Sequence, residues 1–242
     1  MDTNFSVEVE DLTRRFDDFV AVDQITFHVK YGEIFGFLGA NGAGKTTTIR
    51  MLCGLLLPTS GTGYVAGFDI YRQTDDIKQN IGYMSQRFSL YEDLTVAESL
   101  EFYGGIYGLN NREFEMAREA TIESTNLGDH LHKLTRDIPL GWKQRLALSC
   151  AIIHKPKILF LDEPTGGVDP ISRREFWNLI YDLAEAGTTV FVTTHYMDEA
   201  EYCNRLSIMH DGKIVVIGSP QELKQRFQKK TVEDVFIELV KK

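Results

Sequence analysis

The sequence predicts an α/β protein: a mixed, mainly parallel sheet with an antiparallel β edge subdomain and an inserted α-helical subdomain. Three observations carry that expectation. Ile34 to Leu38, Ile158 to Leu161 and Val190 to Thr193 are short, nearly all-apolar runs, the pattern of strands covered on both faces of a parallel sheet. Val7-Glu8-Val9-Glu10 alternates, and Ala21 to Val29 mixes apolar with polar residues, as strands with one wet face do. From Thr95 to about Asn126 the period becomes helical, with Val96, Leu100, Tyr103 and Tyr107 on one face.

Taken in order, the two early strands make the antiparallel region, and the run Ile34 to Leu38 opens the parallel sheet. Thr95 with Glu98 three residues on is a capping box that starts the first inserted helix. Gly104-Gly105 and Gly108-Leu109-Asn110-Asn111 are expected to break this region, leaving Arg112 to Asn126 as another helix. Asp169-Pro170 opens a later helix with Phe176, Ile180 and Leu183 on one side and Gly187 closing it. Ser219-Pro220-Gln221-Glu222 repeats the capping logic. No repeat, low-complexity segment or Pro/Ser-rich linker divides the chain, so residues 1–242 read as one domain. Residues of about 1–90 and 155–242 would form the core with its β subdomain, and about 91–154 the helical subdomain.

Composition narrows the function. At 242 residues and 43% hydrophobic, the chain can bury a full core without staples. Lys and Arg number 26 against 35 Asp and Glu, a net charge of −9, and such a field repels a polyanion, so no nucleic acid is expected as partner. Cys53, Cys150 and Cys203 lack metal-ligand spacing and read as reduced packing residues. No apolar run approaches the roughly 18 residues of a spanning helix, and Met1-Asp2-Thr3-Asn4 lacks a signal-peptide start. A soluble, cytosolic chain is expected, with any membrane role reached through a partner.

Gly39-Ala40-Asn41-Gly42-Ala43-Gly44-Lys45-Thr46 matches GxxxxGK[ST] in full and lies directly between an apolar strand and a helical stretch. This is the placement of a phosphate loop, and it assigns the core to the P-loop NTPase type. The curled backbone aims successive N–H groups at anionic oxygens at a positive helix end. Lys45 is placed to reach the β- and γ-phosphates, and Thr46 offers a hydroxyl to Mg²⁺; Thr47 extends the loop's contacts. Lys157-Ile158-Leu159-Phe160-Leu161-Asp162-Glu163 is an apolar strand ending in two acids, at the sheet edge where α/β proteins bind ligands. Asp162 can hold a metal ion through water, and Glu163 can polarise a water for in-line attack on the γ-phosphorus. The expected ligands are ATP and Mg²⁺.

In these motifs the chain resembles the ATP-binding subunit of an ABC transporter, and the resemblance extends over nearly its whole length. Tyr83-Met84-Ser85-Gln86 matches that family's glutamine loop, which implies that Gln86 contacts the metal and the attacking water. Thr193-Thr194-His195 resembles the switch histidine that touches the γ-phosphate. Gly166-Gly167-Val168-Asp169 occupies the place of the D-loop, which crosses to an opposing subunit, and Phe16 aligns with the aromatic that stacks on adenine. Each has a plainer reading: Gln86 as a surface amide, His195 as a satisfied polar residue, Phe16 as core, Asp169 as a helix cap. The order and spacing of all of them along one chain favour the family reading.

The family signature, usually Leu-Ser-Gly-Gly-Gln, departs here. Aligned on Gln144-Arg145, the chain has Ile138-Pro139-Leu140-Gly141-Trp142. Pro139 supplies neither hydroxyl nor N–H, while Gly141 keeps its N–H at a positive helix end. In the family this segment closes over the γ-phosphate bound by the opposing subunit, so the resemblance implies that Gly141 makes a nucleotide contact in trans. Either two identical subunits hydrolyse ATP with weakened signatures, or a different subunit with an intact signature completes the site built here.

The resemblance further implies partners: a second ATP-binding subunit in an ATP-sandwich dimer, and membrane permease subunits that place the chain on the cytoplasmic face of the cell membrane. Leu90-Tyr91-Glu92-Asp93-Leu94-Thr95-Val96, Tyr107-Gly108-Leu109, Gly218-Ser219-Pro220 and Val232-Glu233-Asp234-Val235-Phe236 are similar to the ABC-2 branch, whose members often export drugs, lipids or polysaccharides. No long C-terminal regulatory segment is expected. The groove beside Gln86 and Phe88 to Tyr91 is where the resemblance places a permease's coupling helix. The alternative is a single-cassette ABC protein with a regulatory or ribosome-associated role; a DNA-repair ATPase head would need sustained heptads, which are absent from the sequence.

Overall fold

A computed structural model describes residues 5–86 and 89–240. Phe88 and the first four residues lie outside the described part. The chain opens with β1 (Phe5–Phe16) and β2 (Phe19–Lys30), joined at Asp17-Asp18, where Asp17 takes a left-handed φ of 50°. Then come β3 (Ile34–Leu38), α1 (Lys45–Leu52), β4 (Ser60–Val65), β5 (Phe68–Asp69), α2 (Thr74–Asn80) and β6 (Ile81–Met84). The helical segment holds α3 (Val96–Ile106), α4 (Asn111–Thr125) and α5 (Leu140–Ile152). The chain returns through β7 (Ile158–Asp162), α6 (Pro170–Glu185), β8 (Thr189–Thr194) and α7 (Met197–Ala200). It ends with β9 (Arg205–His210), β10 (Lys213–Gly218), α8 (Pro220–Arg226) and α9 (Val232–Val240).

Two sheets result. β2-β1-β4-β5 is antiparallel throughout, whereas β10-β9-β3-β8-β7-β6 is parallel from β9 to β6 and carries β10 as an antiparallel edge. The all-apolar runs of β3, β7 and β8 are buried at every position, which requires cover on both faces. On one face Phe35, Phe37, Phe160 and Phe191 meet Phe27 of the antiparallel sheet and Ile49 and Leu52 of α1. On the other, Leu159, Leu161, Val190 and Val192 pack on Leu148 and Ile152 of α5 and on Phe176, Trp177 and Ile180 of α6. Burying each of these large side chains contributes roughly 1.5–3 kcal/mol relative to exposure.

The helical segment has its own core, in which Val96 and Leu100 meet Leu146 and Cys150 of α5 and its C-cap residue Ile153, with Tyr103 and Tyr107 packed beside them. Capping boxes close the N-termini of α3 (Thr95 with Glu98), α4 (Asn110 with Glu113) and α8 (Ser219 with Glu222). One expectation is corrected. Gly104-Gly105 does not break α3, which runs on to Ile106. A Cβ at Gly104 would come within 2.6 Å of the Phe114 ring, so this glycine lets α4 approach α3 rather than ending a helix. The turn falls at Gly108, where φ is +76°.

All three cysteines are free and buried, and burial pushes each thiol's pKa upward, so none is a thiolate at neutral pH. No helix among the described residues is long and apolar enough to cross a membrane.

Candidate nucleotide site

The parallel sheet aims four strand ends at one edge. β3 runs into residues 39–44, β7 ends at Asp162, β8 at Thr194 and β6 just before Gln86, and their pairing order β3-β8-β7-β6 sets these ends side by side. Ligands of such sheets collect at the carboxyl ends of the strands.

Gly44 caps α1 in the left-handed region at φ 104°, and a Cβ there would lie 2.6 Å from the Ala21 carbonyl, so only glycine fits the turn. The N–H of Ala43 donates to the Ala40 carbonyl at 3.1 Å, closing the loop. Lys45 is 96% covered, and its Nζ donates to the carbonyls of Gly39 at 2.7 Å and Ala40 at 3.1 Å. Burial pulls its pKa below the ordinary lysine value, against the opposing pull of Glu163 and Asp162. An anion arriving in the loop would be welcomed by this desolvated ammonium.

Asp162 is buried and accepts hydrogen bonds from the Thr193 hydroxyl at 2.6 Å and the Thr46 hydroxyl at 3.1 Å. Glu163 sits at φ 50°, a left-handed conformation unusual for a residue with a side chain. β8 holds it there, because the Glu163 N–H donates to the Thr193 carbonyl at 3.1 Å and to the Thr193 hydroxyl at 2.9 Å. Backbone strain of this kind concentrates at functional sites. Around the Glu163 carboxylate converge Lys45 Nζ at 3.6 Å, Gln86 Nε2, which donates at 2.9 Å, and His195 Nδ1 at 3.2 Å. Three segments far apart in sequence thus meet on one carboxylate.

A cavity of about 400 Å³ adjoins this cluster, lined by Phe16, Asn41, Gly42, Gly44, Lys45, Thr46, Thr47, Gln86 and Glu163. Phe16 is an exposed strand-end ring with the Arg14 guanidinium 4.4 Å above it, which disposes of its reading as core. Phe19, 64% exposed, and Ala21 line the same cavity, and neither belongs to any of the motifs above. An aromatic facing another across a two-residue turn was the available signal for Phe19. Thr193 enters the sequence patterns as a strand residue and as part of the run leading to His195; its role as anchor of both acids is visible only in the structure.

Gly141 and Asp169 line a second cavity, of about 360 Å³, together with Pro139, Leu140, Trp142 and Ser172. Pro139 is the N-cap of α5 and gives the helix no side-chain cap. Trp142 instead packs against His130, with ring centroids 4.1 Å apart, and beneath the Arg145 guanidinium at 4.8 Å. Asp169 caps α6 by accepting from the N–H groups of Ile171 and Ser172, each at 3.0 Å. The Ser172 hydroxyl, then these N–H groups, hold its carboxyl below the usual range. Gln144 is buried in α5 and donates from Nε2 to the Pro164 carbonyl, tying that helix to the loop after the acids.

The donor set suits a small hard cation. The Thr46 hydroxyl and the Asp162 carboxylate lie 3.1 Å apart, and a site of one or two protein oxygens completed by phosphate oxygens and water is the usual arrangement for Mg²⁺. Among the described residues no cluster of three or more His, Cys, Asp or Glu side chains could hold a metal ion by itself.

A parallel sheet with a glycine loop, lysine and hydroxyl before its first helix and two acids ending a neighbouring strand defines a P-loop nucleotide-binding fold. Residues 22–166 match the family model described as ABC transporter, and the chain belongs to that family. It is 48% identical over 239 residues, 97% of its length, to the Escherichia coli K12 protein named "Probable multidrug ABC transporter ATP-binding protein YbhF", of which the match covers 41%. The chain therefore spans about two fifths of that relative. It is 37% identical over 227 residues to the "Linearmycin resistance ATP-binding protein LnrL" of Bacillus subtilis, covering 93% of this chain and 73% of LnrL. Among solved structures it is similar to an ATP-binding subunit of an ABC transporter, with a TM-score of 0.86 and 27% identity, covering 96% of this chain and 98% of that one.

Proposed function

We propose that the chain binds ATP at residues 39–47 with Mg²⁺, hydrolyses it, and as the ATP-binding component of an ABC transporter energises export through a separate membrane permease. The observation that carries this reading is the convergence of Lys45, Gln86 and His195 on the carboxylate of Glu163, beside a cavity that the phosphate loop lines.

The roles follow from that placement. Residues 39–44 present backbone N–H groups to the phosphates, and Lys45 exchanges its loop carbonyls for β- and γ-phosphate oxygens. Thr46 and Asp162 would hold Mg²⁺, with Gln86 facing the same space; the ion supplies neutralisation of the phosphate charge. Phe16 stacks on the adenine. Glu163 takes the proton of the attacking water, and His195 donates to the γ-phosphate as charge develops there. Gly141 and Asp169 act across a dimer interface, on a nucleotide held by a second ATP-binding subunit, identical or different. The relatives' names, a probable multidrug transporter protein and a linearmycin resistance protein, support export as the direction. The chain would then work at the cytoplasmic membrane face.

Labelled-ATP binding to the parent and to Lys45→Ala tests the reading. Equal affinity of the two proteins would overturn it. Co-purification with a polytopic membrane protein would support the transport role over a regulatory one.

A further inference from the structure

Glu199, on the short helix α7, is completely buried, and the roles given above leave it unused. Its two carboxylate oxygens are divided between the loop after the acids and the end of β8. Oε1 accepts from the Thr165 hydroxyl, two residues beyond Glu163, and Oε2 accepts from the Thr194 hydroxyl at 2.6 Å, one residue before His195. Arg173 of α6 supplies the counter-charge: its Nε lies 3.7 Å from Oε1, while its Nη1 reaches Asp198 at 3.4 Å. The same guanidinium lies 4.4 Å from the ring centroid of Tyr196. The Thr194 hydroxyl also accepts from the Tyr196 N–H at 2.9 Å, which fixes the turn that carries His195.

A buried charge of this kind is weak support for stability, since apolar side chains of similar volume often stabilise a core as well or better. What an apolar side chain cannot do is hold two hydroxyls, one from a loop and one from the end of a strand, at a fixed separation. We propose that Glu199 is a positioning residue that sets His195 and residues 165–169 relative to Glu163, so that the γ-phosphate end and the dimer-facing loop move as one unit. This rests on reading the site as one that hydrolyses ATP. Glu199 touches no nucleotide; it acts through Thr165 and Thr194. The phosphate loop is anchored elsewhere, so ATP affinity does not depend on the clasp.

Steady-state ATPase and labelled-ATP binding of the full chain test this with Glu199→Gln, Thr165→Val, Thr165→Ser and Thr194→Val. Glu199→Gln should lose about tenfold or more in kcat while the ATP Kd changes by less than about twofold. Thr165→Ser keeps the hydroxyl and should keep kcat, whereas Thr165→Val should not. Combining Thr165→Val with Glu199→Gln should cost no more than the larger single loss, because both break the same clasp. If Glu199→Gln fails to fold, the two valine variants carry the test alone. Folded variants with parental kcat, or with losses confined to ATP affinity, would overturn the inference. Should the parent itself show no hydrolysis, the functional reading fails first. Amide hydrogen exchange then decides the clasp: Glu199→Gln must accelerate residues 165–169 and 194–196 together, and unchanged exchange sinks it.

Discussion

Nζ of Lys45 lies 3.6 Å from Oε1 of Glu163, joining the first residue of α1 to the residue that follows the acidic strand. The two charges come from different strand ends and meet only because β3 and β7 flank β8 in one sheet. Their separation by substitution gives the most direct prediction. Glu163→Gln should retain ATP binding and lose roughly 10²–10⁴-fold in turnover, since general-base assistance is worth about that much. Lys45→Ala should instead lose about tenfold or more in ATP affinity, as expected for a charge-assisted contact of 1.5–3 kcal/mol. Isothermal titration and a phosphate-release assay separate the two effects.

The N-terminus of α5 has no side-chain cap, because Pro139 occupies the position. Pro139→Ser supplies a hydroxyl where an N-cap acceptor is worth about 1 kcal/mol, so thermal unfolding should move up by about 2–4 °C. If the missing hydroxyl also limits the contact across the dimer, ATP turnover by the assembled transporter should rise as well. A higher melting temperature with unchanged turnover would show that the helix end and Gly141 already suffice.

His154 follows α5 and lies against Tyr107 with ring centroids 3.5 Å apart, its Nε2 3.0 Å from the Ile81 carbonyl and its Nδ1 buried without a partner. Burial lowers its pKa from 6.5 to about 4. Between these values the unfolded chain binds the proton and the folded one does not. The stabilisation is therefore fully present above pH 6.5 and is lost as pH falls toward about 4. After allowance for partial solvent screening it is worth about 2 kcal/mol. His154→Phe keeps a ring against Tyr107 and cannot titrate. Urea unfolding at pH 7.5 and 5 should show a smaller fall for this variant than for the parent, and parallel falls would contradict the assignment.

Gly82 lies in β6 where α5 crosses it, and a Cβ there would come within 2.2 Å of the Ala151 carbonyl. Neither backbone can yield cheaply, since β6 is paired with β7 and Ala151 is inside α5. Gly82→Ala should destabilise the protein by about 1–3 kcal/mol, the usual range for overpacking. Chemical denaturation measures it, and a loss under about 0.5 kcal/mol would mean that the strand and the helix are less tightly held than their separation implies.

The parts of the fold that the sequence reveals are those whose signal is local. The strands β3, β7 and β8 announce themselves as apolar runs because both faces are covered. Capping boxes at Thr95 and Ser219 fix helix starts from four residues each. Strands β4, β5, β6 and β10 escape that reading, being short or half-exposed, and β9 does because Arg205, Ser207 and His210 interrupt its apolar residues. A signal for the β9–β10 hairpin does exist: Asp211-Gly212, both with positive φ, stands between two apolar runs. Gly104 shows the opposite case, a glycine that reads as a helix breaker and proves to be a contact point for Phe114.

By itself the sequence determined the chemistry available to this protein: a phosphate loop at residues 39–46, a strand ending in Asp162 and Glu163, and the motifs that place the chain among ABC transporter proteins. Those features are contiguous, so their geometry follows from a few backbone angles and a neighbouring strand. Only the tertiary structure decided that the scattered polar residues converge on one carboxylate, and which buried group ties them together. Gln86, His195 and Lys45 reach Glu163 through strand order, and Glu199 reaches Thr165 and Thr194 because one end of a helix only four residues long is buried. Pairing order and burial are set by the whole core at once, and no stretch of the chain encodes them alone.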